Sequence, residues 1–283
     1  MATLNNKIDF ALVFTVHNAN PNGDPLDGNR PRTTYEGYGE VSDVCLKRKI
    51  RNRLLDEGEA IFVQSDDRRS DDYRSLKDRA DGNEELRAIL KDKTKDRQDY
   101  AKKACESWFD VRAFGQVFAF KKGASDGADA VSIGIRGPVS IQAAQSVEPV
   151  VITSTQITKS VNLETEKDPD KRGSDTMGMK HRVDRGVYVT YGSINVQCAQ
   201  KTGFSEEDAE KLKDALRTLF RNDATSARPD GSMEVTKLVW WKHQNASGQY
   251  SAAKVHQSLH VAPDGSISLD DLPGLTPEVI DGE

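Results

Sequence analysis

The sequence contains few cysteines, and they form no recognisable pattern. There are three cysteines, Cys45, Cys105 and Cys198. Their number is odd, they are widely scattered, and no two of them form a C-x-x-C pair. A disulfide framework or a structural zinc site would require paired or clustered cysteines. The chain must therefore rely on a hydrophobic core, for which 283 residues are sufficient.

Long apolar runs are also missing. No apolar stretch approaches the roughly 18 residues of a membrane-spanning helix, and Met1–Asn6 shows no signal-peptide pattern. We therefore expect a cytoplasmic protein that does not contact a membrane.

Common catalytic motifs are absent as well: there is no phosphate-binding P-loop, no nucleophile elbow and no H-E-x-x-H pair. His256 and His260 fall in the predicted strand Lys254–Val261, where their spacing is too wide for one metal ion, so we interpret them as structural. Asp24 and Asp27 could bind Mg²⁺, but beside Asn, Gly and Pro they are more simply turn-forming residues. We predict no catalytic residue, no metal and no cofactor.

Charged residues, by contrast, are abundant, at 30% of the chain, and the net charge is −5. This total argues weakly against a nonspecific nucleic-acid coat protein, although local patches rather than the total decide binding. One local patch has the opposite sign. From Gly28 to Leu55, seven cationic and three acidic side chains give +4.

The basic patch follows an apolar run and a polar loop. Ile8–Val16 predicts a buried strand, and His17–Pro25, rich in Asn, Gly and Pro, predicts an irregular loop. Val41–Leu55 predicts a helix with Ser42 or Asp43 as its N-cap. Together these elements gather amides and cations at one sheet edge, which suits a phosphate backbone.

The helical charges could instead form an ordinary solvated face. Two apolar sides leave only narrow polar strips for Lys47, Lys49 and Arg51, which favours a binding role. One side holds Leu46, Ile50 and Leu54, and the other holds Val41, Val44, Cys45 and Leu55.

The segment Asp56–Asp110 mixes both signs of charge densely. Its main apolar residues are Leu86, Ile89 and Leu90, so we predict a mostly helical, mobile insertion with little core of its own. Val111–Phe120 partly matches the RNA-recognition-motif signature, but we interpret its phenylalanines as core. A turn at Lys121–Asp129 and a strand at Val131–Ile135 follow.

A second unusual segment is Lys159–Arg185. A loop at Asp168–Asp175 precedes two methionines, Met177 and Met179, and a group of cations, and β-prone runs flank the segment at Val150–Thr158 and Gly186–Tyr191. We predict a projecting hairpin. Its methionines could cap the core, or contact bases or a neighbouring subunit, since methionine adapts to irregular surfaces.

The remaining sequence is more regular. Ser205 with Asp208 predicts a capped helix, and Met233–His243 predicts a strand. The acidic tail Pro263–Glu283 is predicted to be peripheral. The order of elements favours an α+β, ferredoxin-like fold with two long insertions.

Three stretches strongly resemble the repeat-unit backbone protein of type I-C Cascade, in the Csd/Csh-type branch of the CRISPR-associated RAMP superfamily. They are Asn18–Pro25, Asn29–Arg32 and Val41–Arg51, and weaker likeness extends to Gly186–Asn195 and Ala227–Met233. The likeness covers nearly everything from Ile8 to Leu259.

The resemblance implies a right-hand shape built on a modified RNA-recognition-motif palm. Its parts would be the palm at 1–55, 111–158 and 186–261, a helical fingers insertion at 56–110, a thumb β-hairpin at 159–185, and an acidic tail at 262–283 that the resemblance does not explain.

It further implies copies of the protein polymerising along one CRISPR guide RNA, each thumb displacing a base, while the guide pairs with target DNA. The other implied partners are further Cascade subunits and a recruited helicase-nuclease. The expected RNA-binding residues are His17, Asn18, Asn20, Asn22, Arg30, Arg32, Ser42, Lys47, Arg48, Arg51, Lys159, Lys180, His181 and Arg182, with Met177 and Met179 as the base wedge.

Two alternatives stay open. Related subunits cleave RNA with a loop aspartate, so a metal-dependent endoribonuclease using Asp24 or Asp27 is one, although the Asn-rich loop does not present that pattern clearly. A protein-only scaffold that docks through the charged insertion is the other.

Overall fold

The computed structural model describes residues 3–92, 94, 96–120, 131–160 and 177–283. The strands are β1 (Ile8–Ala19), β2 (Gly23–Asp24), β3 (Arg30–Pro31), β4 (Tyr38–Val41), β5 (Gly115–Phe120), β6 (Val131–Arg136), β7 (Val139–Ile141), β8 (Ala144–Pro149), β9 (Ile152–Thr158), β10 (Met177–Ile194), β11 (Met233–Lys242), β12 (Leu259–Val261), β13 (Ile267–Leu269) and β14 (Glu278–Asp281). The helices are α1 (Asp43–Asp56), α2 (Leu76–Gly82), α3 (Glu84–Lys91), α4 (Arg97–Ser107), α5 (Phe109–Phe114), α6 (Val196–Thr202), α7 (Glu206–Arg217) and α8 (Ala252–Gln257), with a 3₁₀ turn at Asp66–Arg68. None of these helices is both long and apolar enough to cross a membrane.

Strand β1 lies in the middle of the main sheet. It pairs antiparallel with β10 on one side and with β11 on the other. Within the described ranges this sheet has eight strands, in the order β14-β11-β1-β10-β8-β4, with β7 and β9 also paired to β10. The predicted α+β class is confirmed, with a large antiparallel sheet.

Both faces of the main sheet are covered. Phe10 and Leu12 of β1 pack in a core with α1 and α7, whereas Ala11 and Val13 pack on the opposite face with α8. Burial on both faces explains why β1 is a continuous apolar run rather than an alternating one. The predicted buried strand is therefore confirmed.

Helix α1 begins as predicted. The side chain of its N-cap, Ser42, accepts a hydrogen bond from the Cys45 amide at 3.3 Å, and the apolar line of Leu46, Ile50 and Leu54 is buried. The second apolar side is only partly buried, because Val44 is 68% exposed.

The prediction that the insertion has little core of its own is wrong. Phe62, Trp108 and Phe118 pack together, with ring centroids 4.6 Å apart for Phe62–Trp108 and 5.1 Å apart for Phe62–Phe118. Buried residues of α3 and α4, such as Leu86 and Tyr100, complete a separate hydrophobic cluster. The aromatic residues lie far apart in sequence, so no local run of apolar residues announces this core.

The apolar segment Val111–Phe120 divides between two elements, and its first half is the end of helix α5. Gly115 ends the helix at φ 79°, and β5 then pairs with β6 in a small sheet of its own. Phe118 is buried in the insertion's cluster rather than in the main core. The predicted turn at Lys121–Asp129 lies outside the described residues.

Two corrections concern the C-terminal part. The predicted strand Lys254–Val261 is helix α8 followed by the short strand β12, because Ser251 caps the helix through the Lys254 amide at 3.3 Å. The acidic tail is not peripheral. Its strand β14 pairs with β11 and forms an edge of the main sheet, and Leu272 and Leu275 are buried.

Other predictions are confirmed. Ser205 and Asp208 form a capping box at the start of α7, and β11 occupies nearly all of the predicted strand Met233–His243. Strands β9 and β10 pair antiparallel from Met177↔Thr158 to Val183↔Ile152. The predicted loop Asp168–Asp175 lies outside the described ranges.

Candidate nucleic-acid interface

The Asn-rich loop lies at the end of β1, folded against the start of α1. The Asn22 Oδ1 atom accepts hydrogen bonds from both the amide and the hydroxyl of Ser42, each at 2.9 Å. The buried Asn20 donates through Nδ2 to the Asn29 carbonyl at 2.7 Å. A Cβ atom at Gly23 would lie 2.0 Å from Asn29 Oδ1, so a larger residue there would displace the Asn29 side chain. Asn20, Asn22 and Ser42 thus hold the loop in shape.

His17 and Asn18 are the exposed residues at this end of β1. Asn18 has a left-handed backbone, with φ 50°, a conformation that asparagine tolerates better than most residues. His17 lies opposite Arg185 of β10. Both side chains are available to a ligand at this end of β1.

The cations of α1 are used differently from the prediction. Arg51 is 12% exposed in its side chain, and its Nε donates to Asp110 Oδ2 at 2.9 Å. Arg48 Nη1 donates to the Val63 carbonyl at 2.7 Å. Both therefore attach the insertion to α1, and a phosphate would have to displace protein acceptors to reach them. Lys47 pairs with Asp43 at 3.0 Å and remains partly exposed.

A further basic cluster was missed by the sequence reasoning. Asp223 pairs with the buried Lys49 and, at 3.0 Å, with Arg228 Nε. Two cations share one carboxylate, so the cluster carries an excess positive charge. Burial lowers the pKa of Lys49, while Asp223 acts in the opposite direction. Arg228 stands in a stretch that carried family likeness, and this was the available signal.

The loop also contacts the arm, defined here as β9 with residues 177–183 of β10. Arg30 Nη1 donates to Ser154 Oγ at 3.1 Å, and Ser154 Oγ lies 2.7 Å from His181 Nδ1. Arg30 comes from β3 and His181 from β10, 151 positions later in the numbering of the chain. The structure thus unites two regions that were predicted separately.

Strand alternation divides the predicted arm residues between two faces. Met177, Met179 and His181 share a face with Gln156, whose Nε2 lies 3.1 Å from Met177 Sδ. Lys180 and Arg182 lie on the opposite face. We call the first the methionine face and the second the lysine face.

The other predicted residues occupy less central positions. Arg32 pairs with Asp24 at 3.3 Å, and Arg30 lies 3.8 Å from Asp27. Lys159 is exposed just beyond the end of β9. In the described part of the chain, no three His, Cys, Asp or Glu side chains are grouped so that they could hold a metal ion.

These features form one surface at the end of β1, made of partly exposed cations, loop amides and exposed thioethers. The methionines are 60% and 55% exposed. Cations and amides bind phosphates without regard to base sequence, and flexible apolar side chains can contact unstacked bases. The surface suits single-stranded nucleic acid. Its residues are His17, Asn18, Arg30, Arg32, Lys47, Met177, Met179, His181 and Arg228.

Comparisons with known proteins identify the family of the chain. A family model described as CRISPR-associated protein Cas7 matches residues 6–272. A protein of Haloferax volcanii, named CRISPR-associated protein Cas7, is 26% identical over 279 residues, covering 95% of this chain and 79% of the relative.

Solved structures with similarity to the chain include two CRISPR assemblies. A chain of a CRISPR RNA-guided surveillance complex in a pre-nicking state has a TM-score of 0.49 and 16% identity, over 87% of this chain and 81% of that one. A chain of another CRISPR RNA-guided surveillance complex has a TM-score of 0.43 and 16% identity, over 83% and 68%.

Proposed function

The chain belongs to the Cas7 family of CRISPR-associated proteins, and from this premise we propose that it is the CRISPR RNA-binding backbone subunit of a type I Cascade surveillance complex, of the I-C type. Several copies polymerise along one guide RNA and present its bases for pairing with target DNA. Other Cascade subunits complete the assembly, which recruits a helicase-nuclease. The protein itself has no catalytic role in this proposal.

The observation that carries the proposal is the contact between loop and arm. The Arg30–Ser154–His181 contacts, at 3.1 and 2.7 Å, place a loop cation beside the methionine face. A strand of RNA bound along this surface would contact the cations and the thioethers together. Phosphate contacts would supply affinity, and base pairing by the guide would supply the specificity.

The architecture supports the assignment of parts. The strands β11-β1-β10-β8 are neighbours in that order, and α1 and α7 pack on one face in a common core. We assign this βαββαβ arrangement to a ferredoxin-like, modified RNA-recognition-motif palm. The insertion at 56–110 is the fingers, and the hairpin at 159–185 is the thumb.

We propose different roles for the cations and methionines described above. Arg30, Arg32, Lys47 and Arg228 are partly exposed and contact phosphates. Met177 and Met179 contact a displaced base. Arg48 and Arg51 act indirectly, because they fix the insertion to α1.

The first experiment is purification of the protein from its native host, followed by absorbance at 260 and 280 nm and sequencing of any bound RNA. We expect guide RNA with diverse spacer sequences. Arg30→Ala and Arg228→Ala should each weaken guide binding, to the same extent for every spacer sequence. Each should also reduce the salt slope, which is the slope of the logarithm of the binding constant against the logarithm of the salt concentration, by about one. Lys102→Ala, an exposed cation on α4, is the matched control and should bind as wild type. A protein without RNA, and without affinity for added guide, would refute the proposal.

The endoribonuclease alternative has its own test. Pure protein is incubated with labelled guide and target RNA in the presence of Mg²⁺, and the products are resolved by electrophoresis. We expect intact RNA. Cleavage that Asp24→Ala or Asp27→Ala abolishes would establish the enzyme instead.

A further inference from the structure

A small cleft adjoins the proposed RNA surface, in the loop that leads from α7 into β11. Its volume of about 10 Å³ is room for a single water-sized group. Asp223, Arg228, Asp230 and Ser232 contribute polar groups to its lining. The His17 amide donates to the Ser232 carbonyl at 2.7 Å, so the cleft lies beside the end of β1 that carries the RNA surface.

Backbone hydrogen bonds fix the shape of the cleft. The Thr225 amide donates to the Arg228 carbonyl at 2.8 Å, and the Arg228 amide donates to the Thr225 carbonyl at 3.1 Å. The Ser232 amide donates to the Pro229 carbonyl at 3.0 Å, which closes a turn around Gly231. Gly231 has a left-handed backbone, with φ 72°, a conformation that glycine adopts without steric cost. Because these walls are already formed, a ligand loses little free energy to ordering of the loop.

The hydroxyl of Ser232 is not satisfied by the protein. Ser232 is only 9% exposed, and its Oγ atom has no hydrogen-bond partner in the part of the chain that the structure describes. A buried hydroxyl without a partner is unfavourable. A ligand group that enters the cleft and forms a hydrogen bond with Ser232 Oγ would therefore be bound favourably.

The charges of the cleft favour a hydroxyl over a phosphate. Among its described lining residues, the Asp223 and Asp230 carboxylates outnumber the Arg228 guanidinium, and Arg228 Nε already lies 3.0 Å from Asp223 Oδ2. A carboxylate only accepts hydrogen bonds, as a phosphate does, whereas a hydroxyl both donates and accepts.

The size of the cleft narrows the choice further. A nucleobase is too large for a space that holds one water-sized group. The ribose 2′-OH is small, can donate and accept, and is present in every nucleotide of RNA but absent from DNA.

We propose that this cleft binds one ribose 2′-OH of the guide, with Ser232 Oγ as its hydrogen-bond partner, and thereby makes the subunit select RNA over DNA. The inference rests on the proposed function, because it names the part of the guide that the surface recognises. Arg228 contacts a neighbouring phosphate from the rim of the cleft. Sugar recognition is independent of base sequence, so it is compatible with guides of any spacer.

The test compares three strands of one sequence: short RNA, DNA and 2′-fluoro RNA, which keeps the sugar pucker of RNA but cannot donate a hydrogen bond. Fluorescence anisotropy measures their affinity for the wild type, for Ser232→Ala and for Ser247→Ala. The wild type should bind RNA about tenfold more tightly than either other strand, as expected for one hydrogen bond. Ser232→Ala should lose this preference by binding RNA more weakly, with its affinity for DNA unchanged. Ser247→Ala, at an exposed serine, is the matched control and should keep the preference.

Urea unfolding separates recognition from a structural role. The Ser232 hydroxyl has no partner within the described chain, so Ser232→Ala should be as stable as the wild type. A loss of stability in this variant would assign the hydroxyl to the fold and overturn the inference. Equal binding of RNA and DNA by the wild type, or an unchanged preference in Ser232→Ala, would also overturn it and leave the proposed function intact. A wild-type protein that binds no RNA would refute the proposed function and this inference together.

Discussion

Asp110 is a buried carboxylate that joins the insertion to helix α1. It accepts hydrogen bonds from the Phe62 amide at 2.7 Å, the Val63 amide at 3.1 Å and Arg51 Nε at 2.9 Å. The Arg51 guanidinium also lies over the Phe114 ring, 5.0 Å from its centroid. The Asp110 carboxylate is therefore engaged in contacts within the protein.

Asp110→Asn should destabilise the protein by about 3 kcal/mol, since it leaves the largely buried Arg51 without its counter-ion. Urea unfolding of the variant and the wild type measures the difference. Asp72→Asn changes an exposed carboxylate and should leave the free energy of unfolding unchanged. If Asp110→Asn and the wild type had equal free energies of unfolding, the contacts of Asp110 would contribute nothing to stability.

His256 links the stability of the fold to pH. Burial lowers the pKa of His256, and its Nε2 lies 3.1 Å from the Gly192 carbonyl. The folded state therefore favours neutral imidazole, while the unfolded chain takes up a proton near pH 6.5. This contribution to stability is present above that pH and is lost progressively as the pH falls below it.

We expect the wild type to lose stability between pH 7.5 and 5.5, and His256→Gln to lose less over the same interval. Urea unfolding at both pH values provides the measurement. His260→Gln, which changes an exposed histidine, should keep the wild-type dependence. An identical pH dependence in His256→Gln would assign the effect to another group.

At the scale of an element, helix α1 is basic for two different reasons. Arg48 and Arg51 point to the insertion, and Lys47 pairs only with Asp43, one turn earlier in the same helix, among the described residues. A surface pair of this kind contributes little to stability. Lys47 is therefore the cation of α1 that a phosphate can recruit at low cost.

Lys47→Ala should reduce the salt slope of guide binding by about one without changing stability. Arg51→Ala should lower the free energy of unfolding, and once folded it should keep the wild-type salt slope. Fluorescence anisotropy at several salt concentrations, together with urea unfolding, separates the two effects. If Arg51→Ala reduced the salt slope and left the free energy of unfolding unchanged, Arg51 would contact RNA directly.

The arm carries different side chains on its two faces. Replacing Met177 and Met179 by Ser should leave the monomer as stable as wild type, because both side chains are more than half exposed. The change should reduce the displacement of guide bases. A fluorescent base analogue placed at successive guide positions measures this displacement. Val117→Ser, at an exposed position on β5, is the control. Undiminished displacement would exclude the thioethers as the wedge.

At the scale of the whole molecule, the insertion forms a second packed unit beside the main sheet. The hydrophobic cluster around Phe62, Trp108 and Phe118 should keep helices α4 and α5 packed together in the free subunit. Hydrogen exchange should show clear protection across α4, with faster exchange at the exposed 3₁₀ turn Asp66–Arg68. Weak protection across α4, equal to that of the 3₁₀ turn, would instead support the mobile insertion that composition alone predicts.

Much of the local structure follows from the sequence. The run Ile8–Val16 predicts β1, because an apolar β-prone segment of that length gains most when buried on both faces. Ser42 and the Ser205–Asp208 pair predict where α1 and α7 begin, since capping satisfies backbone amides within one turn. The Asn-rich loop follows β1 as its composition predicts, although β1 continues to Ala19 and includes the first three residues of the predicted loop. These signals are short-range, so the sequence contains them completely.

Only the tertiary structure decided which cations are free to bind. Arg51 meets Asp110 across 59 positions, Lys49 meets Asp223 across 174, and Arg30 meets Ser154 across 124. A charged side chain looks the same in sequence whether its partner is a phosphate or a distant buried carboxylate. The tail offers a similar case, because its acidic composition hides a strand that satisfies the free hydrogen-bonding edge of β11. Charge pairing and edge pairing depend on which distant segments share a boundary after folding, and no local pattern of residues records that.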